Sequence, residues 1–209
     1  SVERAVLAPN SSNMQLWEFH HIKQPEYLKK MAKYCMGQNA AKTCNEMVVI
    51  VARKDLWRKR AKANLINALP DLATKDKSSF TKREKRQKRY YKTLMPVIYT
   101  DFLGILGWVK FLFVSLRGVL KVTFRQVKLS DGKAIVHKSA ALAAQNFMLS
   151  MSAEGYDTCP MVGSDTVRIK RLLGLPGRAK INMVIACGTR KEEGVYGERF
   201  RVPLEEVYK

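Results

Sequence analysis

Three segments rich in apolar and β-branched side chains predict the strands of a sheet. "EMVVIVARK" at residues 46–54 and "KINMVIACG" at residues 180–188 are almost continuous apolar runs, which favours strands buried on both faces. "LWEFHHI" at residues 16–22 also has the composition of a strand. In that strand His20 and His21 would point to opposite faces, one toward the core and the other toward water.

Helices are predicted where apolar side chains recur at helical spacing. Residues 25–37 carry such a pattern, and Gly37 closes the segment. The other predicted helices are the end of a helix at 1–8, a helix from Trp57 to about Leu69, the Ala-rich segment 134–154 capped by Gly155, and "TVRIKRLLG" capped by Ser164 or Asp165. We expect residues 156–165 to form a loop between the last two helices.

The order of these elements predicts a single α+β domain over residues 1–209. Strands and helices do not alternate as repeating βαβ units, and no GxGxxG follows a strand, which disfavours a dinucleotide-binding fold. With 209 residues and 46% hydrophobic side chains, the chain can fill one large core.

The chain is strongly basic, and much of the excess charge lies in one segment. There are 38 Lys and Arg against 18 Asp and Glu, a formal charge of +20. Residues 75–92 alone hold nine basic side chains against two acidic ones. This balance points to nucleic acid, acidic lipid or an anionic cofactor as a partner.

Residues 94–124, which follow the basic segment, are apolar except for a few cations. Lys110, Arg117, Lys121 and Lys128 are spaced by seven, four and seven residues, so on one helix they would share a narrow stripe. One interpretation is a helix in a membrane interface, with residues 75–128 making peripheral contact with anionic lipid. The other is a lid over an active site whose cations extend to water.

The sequence contains no pattern typical of direct side-chain catalysis or of a metal site. The three histidines have no Ser-His-Asp or Cys-His context, and neither HExxH nor a Gly-rich phosphate loop occurs. The four cysteines form no CxxC pair, which disfavours zinc and favours the reduced thiols of a cytoplasmic protein. An enzyme with this sequence would take its reactive group from a cofactor, and we assign no catalytic side chain and no metal.

Three polar clusters could bind such a cofactor. "APNSSNMQLWEF" at residues 8–19 offers uncharged hydrogen-bonding groups, residues 156–165 offer backbone N–H groups near Gly163, and Arg199 and Arg201 would share one face of an extended tail and suit a phosphate. Each cluster also has a plain structural interpretation: a turn that ends a helix, a connection between helices, and solvated surface arginines.

Taken together, these stretches resemble the nitroreductase family of flavoproteins. The similar sequences, in chain order, are "APNSSNMQLWEF", "AALAAQNFMLSMSAEGYDTCPMVG" with "SDTVRIKRLLGLP", "MVIACG" and "RFRVPLEEV". The resemblance covers residues 1–57 and 134–209. It implies an α+β homodimer with a mixed or antiparallel sheet flanked by helices, an extended C-terminal tail, and FMN at the dimer interface.

The resemblance also implies an activity and assigns roles to residues at the N-terminal end. NADH or NADPH would reduce FMN, and hydride transfer through flavin N5 would reduce a nitroaromatic, quinone or related small molecule. A strip of residues would line the isoalloxazine and ribityl chain and reach the partner subunit's flavin. The strip consists of Pro9, Asn10, Ser11, Ser12 and Asn13, with Gln15 close by.

Further residues are assigned in the same way from the resemblance. Pro160, Met161, Val162 and Gly163 would lie along the ring, with a backbone N–H of Val162 or Gly163 near N5. Arg199 and Arg201 would bind the phosphate. Asn39 and Lys42 would contact the pyrimidine side of the ring, where a cation stabilises the anionic reduced flavin.

Two features depart from the family pattern. Family members usually begin with an Arg-rich segment that helps to bind the phosphate, and this sequence starts after that point. Either the segment is missing from the sequence at hand or phosphate binding relies on the tail arginines. Residues 58–133 are longer than expected, and we interpret them as a variable, lid-like insertion.

Two other functions stay open at this point. A flavoprotein of the same fold could catalyse a different reaction, such as dehalogenation or flavin destruction. The charge, together with Phe80, Tyr90 and Tyr91 beside the basic segment, would also suit a basic nucleic-acid-binding protein. No recognised nucleic-acid module occurs, which disfavours that partner.

Overall fold

The centre of the protein is one four-stranded antiparallel sheet. A computed structural model describes residues 1–74, 76–100, 105–194 and 196–209. The strands are β1 (Trp17–Ile22), β2 (Glu46–Ala52), β3 (Asp157–Met161) and β4 (Lys180–Gly188). Their order across the sheet is β1-β2-β4-β3, so β2 and β4 are central and β1 and β3 are edges. The prediction of an α+β fold with strands near 16–22, 46–54 and 180–188 is confirmed.

Helices lie on both faces of this sheet. Those of the described residues are α1 (Val2–Ala5), α2 (Pro25–Tyr34), α3 (Asn39–Thr43), α4 (Trp57–Ala68), α5 (Lys82–Arg89), α6 (Met95–Tyr99), α7 (Ile105–Leu120), α8 (Leu129–Ala153), α9 (Thr166–Leu172) and α10 (Leu204–Val207). A π-helical turn, Tyr90–Leu94, joins α5 to α6. The helices predicted near 25–37, 57–69 and 134–154, and the short one after Asp165, are confirmed, and Asp165 caps α9 by accepting from the N–H of Arg168 at 3.0 Å.

The central strands are apolar throughout because each face of the sheet is covered. Along β2, Val48 and Ile50 pack in the core beneath α8, whereas Val49 and Val51 pack in the core beneath α2, α3 and α9. Alternate side chains of an extended strand point to opposite faces, so both sets must be apolar. On α8, the small side chains at 140, 143 and 144 are fully buried and let the helix lie close to the sheet.

The expected loop at residues 156–165 is wrong in its first half, since Asp157–Met161 forms the edge strand β3. Pro160 and the lack of an apolar run favour a loop in a sequence reading. At an edge, however, a proline can take part in a strand because one side of the backbone needs no ladder partner. Cys159 pairs with Ala186 and Met161 with Val184, which places this edge beside β4.

Residues 94–124 do not form one helix. α6 ends at Tyr99, α7 begins at Ile105, and residues 101–104 lie outside the described part of the chain. The predicted stripe of four cations is wrong for Lys128, because α7 ends at Leu120 and Lys128 precedes α8. None of the helices in the described ranges is long and apolar enough to cross a membrane.

The packing of α8 against the sheet gives a stability prediction. Phe147 on α8 is 3% exposed, and its ring centroid lies 6.4 Å from that of Phe19 on β1. Truncation in Phe147→Ala should lower the free energy of unfolding by about 3–5 kcal/mol, because it leaves a cavity beneath the sheet. Leu149→Ala, at a side chain of the same helix that is 59% exposed, should change it by less than about 0.5 kcal/mol. Urea denaturation of both variants measures the difference, and equal losses would contradict this role for Phe147.

Candidate functional site

The polar strip before β1 forms a strained loop. Ser12, Asn13 and Gln15 have φ values of 57°, 52° and 47°, in the left-handed region that non-glycine residues seldom occupy. Asn10 holds the loop together, since its Oδ1 accepts from the backbone N–H of Gln15 at 2.8 Å. Pro9, which precedes this turn, is exposed. Backbone strain of this kind persists only where the surroundings impose it, and it often marks a functional site.

Two tyrosines of the predicted insertion, residues 58–133, form hydrogen bonds with this loop. The Ser12 Oγ lies 2.7 Å from the Tyr90 hydroxyl, and the Tyr91 hydroxyl donates to the Ser12 carbonyl at 3.4 Å. Burial raises the pKa of Tyr91, so its hydroxyl keeps its proton at neutral pH and can donate. On the other side, the N–H of Ser11 donates to the Ser139 Oγ of α8 at 3.3 Å.

Asn13 is fixed by a reciprocal pair with Asn64 of α4. The Asn13 Nδ2 donates to the Asn64 Oδ1 at 3.0 Å, and the Asn64 Nδ2 donates to the Asn13 carbonyl at 2.8 Å. Asn64, Tyr90 and Tyr91 were not predicted to act together with the strip. They lie more than fifty residues away in sequence, so no local pattern could have linked them.

A second polar group lies at the opposite edge of the sheet, where β3 ends. The Gln38 Nε2 donates to the Gly163 carbonyl at 3.1 Å and so joins the residues before α3 to this loop. Val162 is 72% exposed, and neither its N–H nor that of Gly163 has a hydrogen-bond partner among the residues that the structure describes. The Ser164 Oγ is buried and unpaired within the same described residues. The backbone N–H groups of the two exposed residues, Val162 and Gly163, are therefore available to a ligand.

The side chains around this loop divide into two kinds. Met161 is 1% exposed and packs in the core beneath α2 and α9, so only its backbone can face a ligand. Pro160 is exposed. A ligand along residues 160–163 would therefore meet mainly backbone and the proline ring.

The C-terminal tail reaches the same group through one contact. The Asn39 Nδ2 of α3 donates to the Tyr196 hydroxyl at 2.7 Å. Lys42, one turn further along α3, is exposed and its side chain lies beside Gly37. The two predicted phosphate ligands, Arg199 and Arg201, follow Tyr196 and are exposed. Gln38 and Tyr196 are the members of this group that the sequence analysis missed.

The structure places the two polar groups on different edges of the sheet. The strip precedes β1, whereas Gly163 follows β3, and the three strand spacings between these edges amount to about 14 Å. No hydrogen bond or ion pair recorded among the described residues joins them. Within one chain, the residues predicted to contact a single cofactor therefore fall into two separate groups.

The cysteine thiols next to the second group are not activated. Burial raises the pKa of Cys35 to about 11 and that of Cys187 to about 12, so both stay protonated near neutral pH. Cys159 is exposed on β3. In the part of the chain that the structure describes, no cluster of three or more His, Cys, Asp or Glu side chains could hold a metal ion.

The donor set suits a flat, hydrogen-bonding cofactor that carries a phosphate. The strip supplies uncharged amides and hydroxyls, the β3 loop supplies free backbone N–H groups, and Lys42, Arg199 and Arg201 supply the positive charges. An uncharged polar strip can satisfy a heteroaromatic edge without burying an unpaired charge, which would be costly. Arginines suit a phosphate, because a planar guanidinium group can donate two hydrogen bonds to it.

Comparison with protein families gives one match over most of the chain. The model of the nitroreductase family matches residues 2–189. Protein DrgA of Synechocystis is 27% identical over 201 residues, which cover 96% of this chain and 76% of the relative. MhqN of Bacillus subtilis, which is named as an NAD(P)H nitroreductase, is 38% identical over 69 residues, about a third of either chain.

Solved structures of the same fold agree with this match. The crystal structure of ydfN from Bacillus subtilis, described as a nitroreductase, superposes with a TM-score of 0.71 at 21% identity and covers 99% of this chain and 83% of that one. A nitroreductase from Exiguobacterium sibiricum in complex with FMN has a TM-score of 0.63 at 20% identity and covers 100% of this chain and 82% of that one. At these identities the superpositions establish the fold.

The role of Asn10 in shaping the strip can be tested by its stability effect. Asn10→Ala removes the acceptor for the Gln15 N–H, and we expect a loss of about 1 kcal/mol in the free energy of unfolding. Asn10→Asp keeps an acceptor oxygen and loses only the donor to the Ala8 carbonyl at 3.3 Å, so it should lose less. Urea denaturation compares the two, and an equal loss in both would show that the contact with Gln15 does not hold the loop.

Proposed function

The chain belongs to the nitroreductase family, and from this we propose that it is an FMN-dependent oxidoreductase that transfers electrons from NADH or NADPH to a small-molecule acceptor. Family membership rests on the match over residues 2–189. FMN is bound in the Exiguobacterium sibiricum structure, and MhqN is named for NAD(P)H. The observation in this chain that carries the proposal is the group at the end of β3, where free backbone donors, a lysine and the arginine-bearing tail come together.

Each part of this group has a distinct task toward the cofactor. The unpaired backbone N–H of Val162 or Gly163 would donate to the ring near N5, and Pro160 would pack along the ring. Lys42 and Asn39 contact the pyrimidine side, where a fixed positive charge stabilises the negative charge of the reduced ring. When bound, FMN supplies the hydride chemistry between the nicotinamide and the acceptor.

The tail arginines take the phosphate of FMN. Arg199 and Arg201 are both exposed, and the Arg201 Nη1 contacts only the neighbouring Phe200 carbonyl at 2.7 Å among the described residues. Their guanidinium groups therefore remain available for charge-assisted hydrogen bonds. The Asn39–Tyr196 contact brings this part of the tail to α3, beside Lys42.

The strip before β1 acts on the flavin of a partner subunit in a homodimer. The strand order places it at the edge of the sheet away from β3, which supports two half-sites in each chain, each completed by the partner subunit. A two-fold dimer would bring the strip of one subunit to the β3 loop of the other and complete two equivalent sites. Gln15 and the side chains of Asn10, Ser11, Ser12 and Asn13 then line the ribityl chain and the ring.

Residues 58–133 belong to the same domain, and the part that contacts the strip, around Tyr90 and Tyr91, would lie over the flavin as a lid. Their tyrosines already hold the strip, so the insertion is joined to the half-site that serves the partner's ring. A lid excludes water and limits which acceptors reach the flavin. Nitroaromatic compounds, quinones and related planar acceptors fit this chemistry.

The proposal predicts a visible change on reduction. The purified protein, or the protein reconstituted with FMN, should show flavin absorption that bleaches on anaerobic addition of NADH or NADPH. Absorption that persists with both donors would refute the use of NAD(P)H. A protein that binds no FMN would refute the flavin site itself.

The phosphate assignment predicts a selective loss of affinity. In the double variant Arg199→Ala and Arg201→Ala, the Kd for FMN should rise about tenfold or more, because charge-assisted hydrogen bonds are lost. The Kd for riboflavin, which lacks the phosphate, should hardly change. Arg178→Ala, at another exposed arginine, is the matched control and should leave both values unchanged. Flavin fluorescence quenching measures all of them, and equal weakening for FMN and riboflavin would contradict a phosphate contact.

A further inference from the structure

One side of α7 is apolar and exposed along its whole length. Leu112, Leu116 and Leu120 are 64%, 66% and 86% exposed. At 100° per residue these positions and their neighbours fall on one continuous face. The exposed apolar side chains of this face are Ile105, Trp108, Val109, Leu112, Phe113, Leu116, Val119 and Leu120. Contiguous exposed apolar patches of this kind mark sites that bind a protein, a membrane or a ligand.

The opposite side of α7 contacts other parts of the protein, so the apolar face is turned toward solvent. The Lys110 Nζ donates to the Val97 carbonyl of α6 at 2.7 Å. The Lys128 Nζ lies 3.7 Å from the centroid of the Phe111 ring, a cation–π contact. Gly118 is covered by the guanidinium group of Arg125, which donates to its carbonyl at 2.8 Å. The exposed leucines therefore point away from the domain.

Cations surround the apolar face on the same stretch of chain. Residues 82–128 contain twelve Lys and Arg and two acidic residues, which accounts for half of the net charge of +20. On α5, Arg83 and Arg86 are exposed, and at the end of α7 Arg117 and Lys121 are exposed beside the leucines. An apolar helix face with flanking cations is the pattern of a helix that lies in a membrane interface.

The positive charge of α5 and α7 favours an anionic lipid surface over a second copy of the chain as the partner of this apolar face. A two-fold contact that placed the α7 faces of two copies against each other would also bring the cations of α5 and α7 in one copy close to those in the other. Such like-charge contacts oppose association. An anionic bilayer instead offers phosphate and carboxylate groups to the cations and an acyl layer to the leucines.

We infer that α7, together with the basic helix α5, docks the protein on the surface of an anionic lipid bilayer. α7 lies parallel to the membrane with its leucines and Trp108 below the headgroups. Arg117, Lys121 and the cations of α5 remain at the level of the lipid phosphates. This inference does not depend on the proposed flavin chemistry, because it rests on the exposed face and on its charge.

Vesicle flotation of the protein, residues 1–209, tests the inference directly. The probes are vesicles of phosphatidylcholine alone and vesicles with about one third phosphatidylserine. The protein should float with the phosphatidylserine vesicles and remain below with phosphatidylcholine alone. Raising the salt from about 0.05 M to about 0.5 M should reduce binding, because screening shortens the range of the attraction.

Matched variants separate the contributions of the apolar and the charged side chains to lipid binding. Leu112→Glu with Leu116→Glu should lower the bound fraction about tenfold, since it places carboxylates at the lipid face. Ile66→Glu on α4, at a side chain that is 52% exposed, is the control and should bind as the wild type does. Arg83→Glu with Arg86→Glu should also weaken binding, whereas Lys29→Glu with Lys33→Glu, exposed positions on α2, should weaken it less.

Several outcomes would overturn the inference. Absence of flotation with phosphatidylserine vesicles would do so, as would equal binding by the Leu112/Leu116 variant and the wild type. If that variant instead loses a dimer seen by light scattering while the wild type binds no lipid, the face is an interface between copies. Circular dichroism of each variant confirms that the fold is retained, and anaerobic bleaching of the flavin is measured separately, so failure here leaves the proposed activity untouched.

Discussion

Burial of β2 and β4 on both faces is the constraint on which the rest of the structure depends. Two central strands without a solvated face require helices on each side, and α8 covers one side while α2, α3 and α9 cover the other. The polar groups of the candidate site therefore lie at the edges of the sheet. The strip before β1 and the loop after β3 both lie at edges of the sheet, and they are held by Ser139 of α8 and by Gln38, which precedes α3.

The polar segments at the two edges of the sheet differ in how their conformation is fixed. The β1 rim is the strip before β1, and the β3 rim is the loop after β3. At the β1 rim, the backbone is forced into left-handed conformations and then fixed by Asn10, Asn64 and Tyr90. This arrangement presents neutral donors and acceptors in a fixed geometry. At the β3 rim, backbone N–H groups stay unpaired, and positive charge comes from Lys42 and the tail. A cofactor with a neutral polar ring and a phosphate needs both kinds of surface.

The excess positive charge lies in two separate parts of the chain. Lys42 lies on α3, next to the residues that contact the β3 loop, and Arg199 and Arg201 lie in the exposed tail, whereas the cations of α5 and α7 flank an apolar helix. A basic chain is often interpreted as a nucleic-acid binder. Here Tyr90 and Tyr91, which could stack bases, contact each other edge to face with centroids 5.3 Å apart and hydrogen-bond to Ser12 instead.

Local patterns in the sequence determined the central strands, the main helices and the family. Continuous runs rich in β-branched residues favour strands with two covered faces, so the strands at 46–54 and 180–188 were predicted correctly. The Asn and Ser cluster after a short helix likewise indicated the polar turn of the strip. β3 was missed because Pro160 is unfavourable in a strand unless the strand is an edge, and the position of an edge is a property of the whole sheet.

The tertiary structure alone decided how the site residues are grouped. Asn64 and Tyr90 hold the strip across long sequence separations, Gln38 joins the β3 loop, and Lys128 caps two aromatic rings of α7 rather than extending its stripe of cations. Contacts of this kind depend on which elements pack together, and no periodicity along the chain records them. The separation of the two polar groups follows likewise from the strand order, which places the first and third strands at opposite edges.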